Sequence, residues 1–163
     1  MKAYQVFARM TPERARVLLD GLRKEAPGVY TQALGAASVW LRARPQFVLK
    51  QPAEKRARLV RQALSRVATN IIAEEVLAAY FLQVKKTLLV EWLDAVGLEH
   101  EEGSLKTDAP PEPVRGVLEK AVASFEKPED AADRALLLQA FAAQTAIEWP
   151  TLEELIARAD PRG

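Results

Sequence analysis

Among the side chains that most often act as nucleophiles or metal ligands, this chain has no cysteine and one histidine, His100. This composition excludes disulfide scaffolds, thiolate zinc sites, cysteine nucleophiles and metal sites that need two histidines. The densest group of possible ligands is Glu99-His100-Glu101-Glu102. Adjacent residues of one short segment do not converge on an ion without a special loop, and the calcium-loop pattern is absent. We expect a solvated acidic loop there, and no metal or cofactor.

Adjacent carboxylates at Glu74 and Glu75 could form an acid pair for catalysis. Neighbours on a helix point about 100° apart, so a position near a helix start, where acids favour the macrodipole, is the better interpretation. None of the glycines belongs to a phosphate-binding loop, a dinucleotide fingerprint or a nucleophile elbow. We therefore expect no enzyme, although a site assembled from scattered Glu, Asp and Arg would leave no such motif.

Charge is separated along the chain, although the formal net charge is only +1. Residues 1–68 carry 14 Lys and Arg against four acids, a charge of +10, and residues 69–163 carry nine against 18, a charge of −9. Cations are densest in residues 42–66, where Glu54 is the single acid. We call the eight cations of this stretch the basic cluster: Arg42, Arg44, Lys50, Lys55, Arg56, Arg58, Arg61 and Arg66.

Three interpretations of this segregation stay open. The opposite charges can lie across an internal seam or be diluted in solvent. The basic cluster can dock an acidic protein, or a second copy of the chain by head-to-tail self-association. It can also neutralise the phosphates of a nucleic acid. Against nucleic acid stand the scarcity of aromatic side chains for base stacking, only Trp40 and Phe47, and the lack of a helix-turn-helix pattern.

The preferred hypothesis is a non-catalytic helical module, an adaptor or assembly protein, that binds a protein partner or itself. The basic cluster would be one docking surface and the acidic segment 98–113 another. The alternative is a nucleic-acid-associated protein that binds the phosphate backbone through residues 42–66. Trp40, Trp92 and Trp149 are expected in the core, and Trp149, before Pro150, is the best candidate for a partner anchor.

Helices must position these groups, because strand signals are nearly absent and prolines mark most helix starts. The pattern predicts an all-α fold, an irregular bundle of six to seven helices around a central apolar helix at about residues 70–96. Its apolar face includes Ala73, Leu77 and Trp92. From Pro52 an apolar helix face recurs through Val67 and Ile71, so both are expected in the core. A break is most expected at Thr69-Asn70, whose side chains can cap a new helix, and one continuous helix through them is the alternative. Close helix packing is expected at the glycines inside helical patterns, which are Gly21, Gly35 and Gly116.

We predict a single helical domain over 1–163, with a long acidic, proline-containing connection at 98–113. The 50 residues from Val114 are too few for a stable separate domain, so we expect them to pack on the rest. Residues 1–9 lack the apolar region of about 7–15 residues that a secretory signal needs. The most apolar stretch, 71–90, contains five charged or amide side chains. We therefore expect a cytoplasmic protein and no membrane partner.

Overall fold

The structure, a computed structural model, describes residues 1–160. Helices dominate it, so the predicted all-α class is confirmed. The chain divides into two compact units, an N-terminal unit of residues 2–84 and a C-terminal unit from Lys85 onward that also takes in Met1. The prediction of one domain over 1–163 stays a prediction.

The N-terminal unit contains six α-helices, one 3₁₀ turn and one π-helical turn. In chain order these are α1 Ala3–Arg9, α2 Pro12–Glu25, α3 Pro27–Leu41, α4 Pro45–Leu49, α5 Ala53–Leu64, the 3₁₀ turn Val67–Thr69, α6 Asn70–Ala79 and the π turn Tyr80–Val84. Prolines begin several of them, as predicted, and the Thr11 hydroxyl accepts from the Arg14 amide at 3.2 Å to cap α2. The buried core consists largely of Phe7, Leu18, Leu22, Leu64, Leu77 and Tyr80.

The C-terminal unit contains four α-helices and a two-stranded hairpin within residues 85–160. These elements are α7 Lys86–Ala95, β1 His100–Glu101, β2 Ser104–Leu105, α8 Arg115–Phe125, α9 Ala131–Ala142 and α10 Pro150–Ala159. Aromatic rings build its core: Trp92 lies 5.5 Å from Phe125 and 5.8 Å from Phe141 between ring centroids, and Phe141 lies 5.0 Å from Trp149. Residues 1–160 thus form ten α-helices, more than the six to seven predicted.

The segment predicted as one central helix, about 70–96, is divided in the structure. α6 passes into the π turn Tyr80–Val84, and Lys85 then leaves helical geometry at φ −120° and ψ 39° before α7 begins. The two parts belong to different units. Ala73, Leu77 and Trp92 are buried as expected, because burial of an apolar face does not require that one unbroken helix carry it.

The helix that follows Pro52 ends earlier than its apolar pattern predicts. α5 stops at Leu64, and Arg66 has an extended backbone at φ −104° and ψ 145°. The Thr69 hydroxyl donates to the Ala63 carbonyl at 2.6 Å, so it satisfies an acceptor at the end of α5. The break expected at Thr69-Asn70 therefore lies at residues 65–66, and Thr69 does not cap α6 through its side chain.

The connection 98–113 contains a β-hairpin that the sequence did not indicate. His100 pairs with Leu105 and Glu101 with Ser104 in antiparallel register. The two turn residues, Glu102 at φ 51° and Gly103 at φ 93°, both have positive φ, which is the geometry of a tight primed turn. Such turns usually carry Asn-Gly or Asp-Gly, so the Glu-Gly pair gave no recognisable signal.

Of the three glycines expected at close helix contacts, only Gly21 lies at one. A Cβ on Gly21 of α2 would lie 3.0 Å from the Val84 Cγ1 and 3.5 Å from the Tyr80 ring. A Cβ on Gly35 or Gly116 would meet nothing within 4 Å. The expectation was wrong for these two, because helix periodicity locates a glycine on a helix without saying what lies opposite.

Alanine at Gly35 should raise the free energy of unfolding by about 0.5–1 kcal/mol, since it removes backbone entropy from the unfolded chain and meets no neighbour. Alanine at Gly21 should gain less or lose stability, because its methyl group presses on Val84. Urea unfolding of Gly35→Ala and Gly21→Ala beside the unchanged chain measures both. Equal gains would contradict the close approach of α2 to the π turn.

A buried arginine connects α7, α8 and α9 in the C-terminal unit. The Arg134 side chain is 8 % exposed, and its guanidinium donates to the Glu91 carboxylate at 3.0 Å and to the Phe125 carbonyl at 3.1 Å. A third bond runs to the Glu129 carbonyl at 3.0 Å. The Lys127 ammonium binds the same Glu91 oxygen at 2.7 Å. Hydrogen bonds from Arg134 and Lys127 hold the pKa of Glu91 below its usual range.

The stability that Glu91 contributes should depend on pH. Because its pKa is lower in the folded state, this stabilisation is present above the ordinary glutamate pKa and disappears as the pH falls through the folded value. Glu91→Gln should lower the unfolding free energy at pH 7 and lower it less, or not at all, near pH 3. Urea unfolding from pH 7 to 3, followed by Trp fluorescence, measures the difference. The control is Glu99→Gln, at an exposed carboxylate. If the loss of unfolding free energy in Glu91→Gln did not change with pH, the stabilisation could not be due to the ionised Glu91 carboxylate.

Candidate interaction surfaces

The basic cluster is largely accessible to solvent. Six of its residues are exposed, and Arg56 and Arg61 are half-buried. Among the ion pairs of residues 1–160, none includes any of the eight. The single acid of this stretch, Glu54, binds Arg16 at 3.0 Å, an arginine outside the cluster. The positive charge of the cluster is therefore not neutralised by carboxylates of the described chain.

Arg56 and Arg61 serve the fold as well as the surface. Arg56 donates to the Leu49 carbonyl at 3.1 Å and to the Gln51 carbonyl at 3.4 Å, acceptors at and just beyond the end of α4. Arg61 donates to the Phe7 carbonyl of α1 at 3.4 Å, and its Nε is buried without a hydrogen-bond partner. Replacing either residue would disturb packing as well as charge, so neither is a clean probe of binding.

Five of the remaining six cations occupy two places. Lys55 and Arg58 share the outward face of α5, since three residues on a helix return to nearly the same side. The opposite face of α5 is buried and consists of Ala57, Val60, Ala63 and Leu64. Arg42, Arg44 and Lys50 flank the short helix α4, with Arg42 in left-handed geometry at φ 51°. α4 packs on α3 and α5, so these five cations border one region of the N-terminal unit.

Arg66 adjoins an apolar groove between α3 and α6. Its guanidinium lies 5.7 Å from the centre of the Trp40 ring, a cation–π distance. The groove has a volume of about 660 Å³. Along α3 it is lined by Gln32, Gly35, Ala36, Val39 and Trp40, and along the following segment by Arg66, Ala68, Thr69, Ile72 and Glu75.

Large apolar side chains lie exposed in and beside this groove. Val39 is 79 % exposed, and Val67 and Ile71, next to the lining residues, are 71 % and 75 % exposed. Val67 and Ile71 were predicted in the core with the apolar face of α5. The prediction was wrong, because the chain leaves helical geometry at Arg66 and the new helix starts with a different rotation. Sequence periodicity gave no signal for this groove, since a core helix shows the same apolar pattern.

His100 is held in the hairpin by hydrogen bonds to Gly103 and Asp94. Its Nδ1 accepts from the Gly103 amide at 3.1 Å, so Nε2 carries the proton in the neutral ring and donates to the Asp94 carboxylate at 2.7 Å. Within residues 1–160, no group of three or more His, Asp or Glu side chains is placed to hold a metal ion. The arrangement positions the hairpin against the end of α7.

Trp149 does not present its indole to a partner. It is 2 % exposed, and its Nε1 donates to the Pro110 carbonyl at 2.9 Å. Its candidacy as an anchor is therefore wrong, because the connection 98–113 folds back and covers it. In the same segment Glu112 accepts from the Leu152 amide in the first turn of α10 at 3.2 Å. This bond satisfies a backbone amide at the start of α10, so the acidic segment is in part structural.

A second cavity, of about 510 Å³, lies between α8, α9 and α10. Its lining includes Val122, Leu138 and Ile156, with Lys127 and Arg134 at its polar side. Both cations already bind Glu91, so the cavity offers an anion no unpaired cation among its described lining residues.

One segment, Val67–Val84, is long and apolar enough to cross a membrane by length and composition, with a mean hydropathy of 1.3. A core helix of a soluble protein passes the same test. About 28 % of the segment is buried, and it contains Glu74 and Glu75.

Comparison of the chain with protein-family models, with curated proteins and with solved structures gave no match. Its function must therefore be inferred from its own surfaces.

Proposed function

We propose that this chain is a non-catalytic protein-interaction module that docks an acidic surface of a partner protein on its basic cluster. The observation that carries the proposal is the accessible positive charge: six exposed cations, and no ion pair to any of the eight among the described residues. A partner's carboxylates would not have to displace an existing ion pair. This lowers the cost of docking compared with a surface of already paired charges.

Binding is best tested at cations whose side chains do not stabilise the fold. Lys55 and Arg58 on α5, and Arg44 and Lys50 at the ends of α4, are exposed, and their side chains make no hydrogen bond within residues 1–160. Charges within a Debye length, about 8 Å at physiological salt, reinforce each other's potential. A cluster of this kind mainly speeds encounter and selects partners by sign, and it loses strength as salt rises.

A protein partner suits the surroundings of the cluster better than a base-stacking nucleic acid. Trp40 is half-buried and already covered on one face by Arg66, which leaves Phe47, 48 % exposed, as the aromatic ring near the cluster that is open to stacking. Leu49 beside it is also exposed. Apolar side chains among cations are typical of protein interfaces, where an apolar centre is surrounded by polar groups.

Binding of a phosphate backbone is the second candidate function, since it needs only accessible cations. Five or six lysines and arginines on one unit could neutralise several phosphates without reading bases. Such binding would fall steeply with salt and show no sequence preference.

Reversal of two clean charges should separate the candidates. In Lys55→Glu/Arg58→Glu, capture of an acidic partner should fall by about tenfold or more while the fold is kept, because both side chains are exposed. The probes are a labelled acidic peptide and a labelled DNA duplex of about 20 base pairs, titrated by fluorescence anisotropy at 50 and 200 mM salt. Saturable peptide binding that the substitutions abolish supports the proposal.

The matched control is Arg23→Glu/Lys24→Glu, which makes the same charge change at exposed positions of α2 in the same unit. It should leave binding within about twofold. Duplex binding alone would transfer the assignment to the second candidate. Equal losses in both double variants would mean that only net charge matters, and no binding of either probe would count against both functions.

A further inference from the structure

We propose that the groove between α3 and α6 binds the same groove of a second copy of this chain, in a two-fold symmetric dimer. The occupant is identified by the distribution of charge along the groove. The proposal does not depend on the basic cluster as a docking surface, with which it shares Arg66 and Arg42.

The two walls of the groove run in opposite directions. Trp40, near the end of α3, lies against Arg66, which precedes the 3₁₀ turn and α6. Gln32, eight residues earlier on α3, therefore lies toward Glu75 at the far end. At the helical rise of 1.5 Å per residue the groove is about 12 Å long.

One end of this groove is positive and the other negative. Arg66 marks the first end, where the exposed Arg42 also follows α3, and Glu75 marks the second. Both Arg66 and Glu75 are exposed, and neither belongs to an ion pair of residues 1–160. The middle is apolar, with Ala36 and Ile72, and Val39 lies beside the positive end.

A two-fold axis that lies in the interface and crosses the groove at its middle brings the positive end of one copy onto the negative end of the other. Arg66 of each copy then faces Glu75 of its partner, and Ala36 and Ile72 of the two copies meet near the axis. An isologous interface requires this self-complementarity, because the same patch serves both sides. Val39, Val67 and Ile71, each more than 70 % exposed, would leave water on dimerisation.

Space for a partner is present at the floor of the groove. A Cβ on Gly35 would meet nothing within 4 Å, so α3 has no neighbour at this position in the described chain. The patch is short compared with a standard interface, and we expect a weak dimer with a dissociation constant of about 1–100 μM.

The test is sedimentation equilibrium of the full chain and its variants at 5–200 μM, a span of about 40-fold around the affinities typical of small interfaces. Val39→Asp should weaken dimerisation by about tenfold or more, because Val39 lies beside the positive end and a carboxylate there would face Glu75 of the partner copy. Val17→Asp is the matched control, at a valine of α2 that is 53 % exposed and does not line the groove. It should leave the dimer unchanged.

A charge exchange tests the symmetric arrangement itself. Arg66→Glu makes both ends of the groove acidic and Glu75→Arg makes both basic, so each variant alone should be monomeric. Mixed in equal amounts, the two variants should form a heterodimer, and the chain that carries both substitutions should dimerise again. Fluorescence-detected sedimentation with one variant labelled measures the mixture.

The outcomes are distinct. Recovery in the mixture and in the double variant supports a second copy in the groove. A monomeric unsubstituted chain at 200 μM, or a dimer that Val39→Asp leaves intact, would overturn the proposal. Acidic-peptide binding through Lys55 and Arg58 is measured separately, so failure of the dimer and failure of the proposed function can be told apart.

Discussion

The exit of the chain from α5 is the constraint on which the surface of the N-terminal unit depends. At Arg66 the backbone becomes extended, and the Thr69 hydroxyl donates to the Ala63 carbonyl at 2.6 Å. This bond supplies a donor to a helix end that would otherwise lack one, and it fixes where the next helix begins. The rotation of α6 follows from that starting point, and with it the choice of side chains that face solvent.

Two features follow from this rotation. Val67 and Ile71 lie outside the core although their spacing fits the buried face of α5. Arg66, in the extended link, reaches the Trp40 ring and closes one end of the groove between α3 and α6. The Arg66 guanidinium stays at the surface while it partly covers the apolar face of the Trp40 ring. The short link between α5 and α6 thus produces both the exposed apolar side chains beside the groove and the positive charge at one end of the groove.

The two units differ in how far their charged side chains are paired within the fold. In the N-terminal unit the cations of residues 42–66 form no ion pair with the described carboxylates, since the single acid in that stretch binds Arg16. In the C-terminal unit several charged side chains form ion pairs with each other. Arg134 and Lys127 bind Glu91, and Lys85 binds Asp133 at 3.3 Å. Arg134 and Asp133 are buried, and buried ions need partners to offset the loss of hydration, so the pairs of these two residues stabilise the core of the unit. The excess positive charge of the N-terminal unit is therefore accessible to a partner, because the fold does not pair it with carboxylates.

Composition and periodicity by themselves determined the all-α class, the proline-started helices, the burial of Leu77 and Trp92 and the separation of charge. These properties depend on residues close together in sequence, whose preferences act before any long-range contact forms. The tertiary structure alone decided that Trp149 is covered by Pro110, that Gly21 meets Val84 and that the 70–96 segment is divided at Lys85. It also decided that a groove opens beside Trp40, because which face of a helix stays uncovered depends on residues far away in the chain, and a local apolar pattern is the same whether a neighbour packs on it or water does.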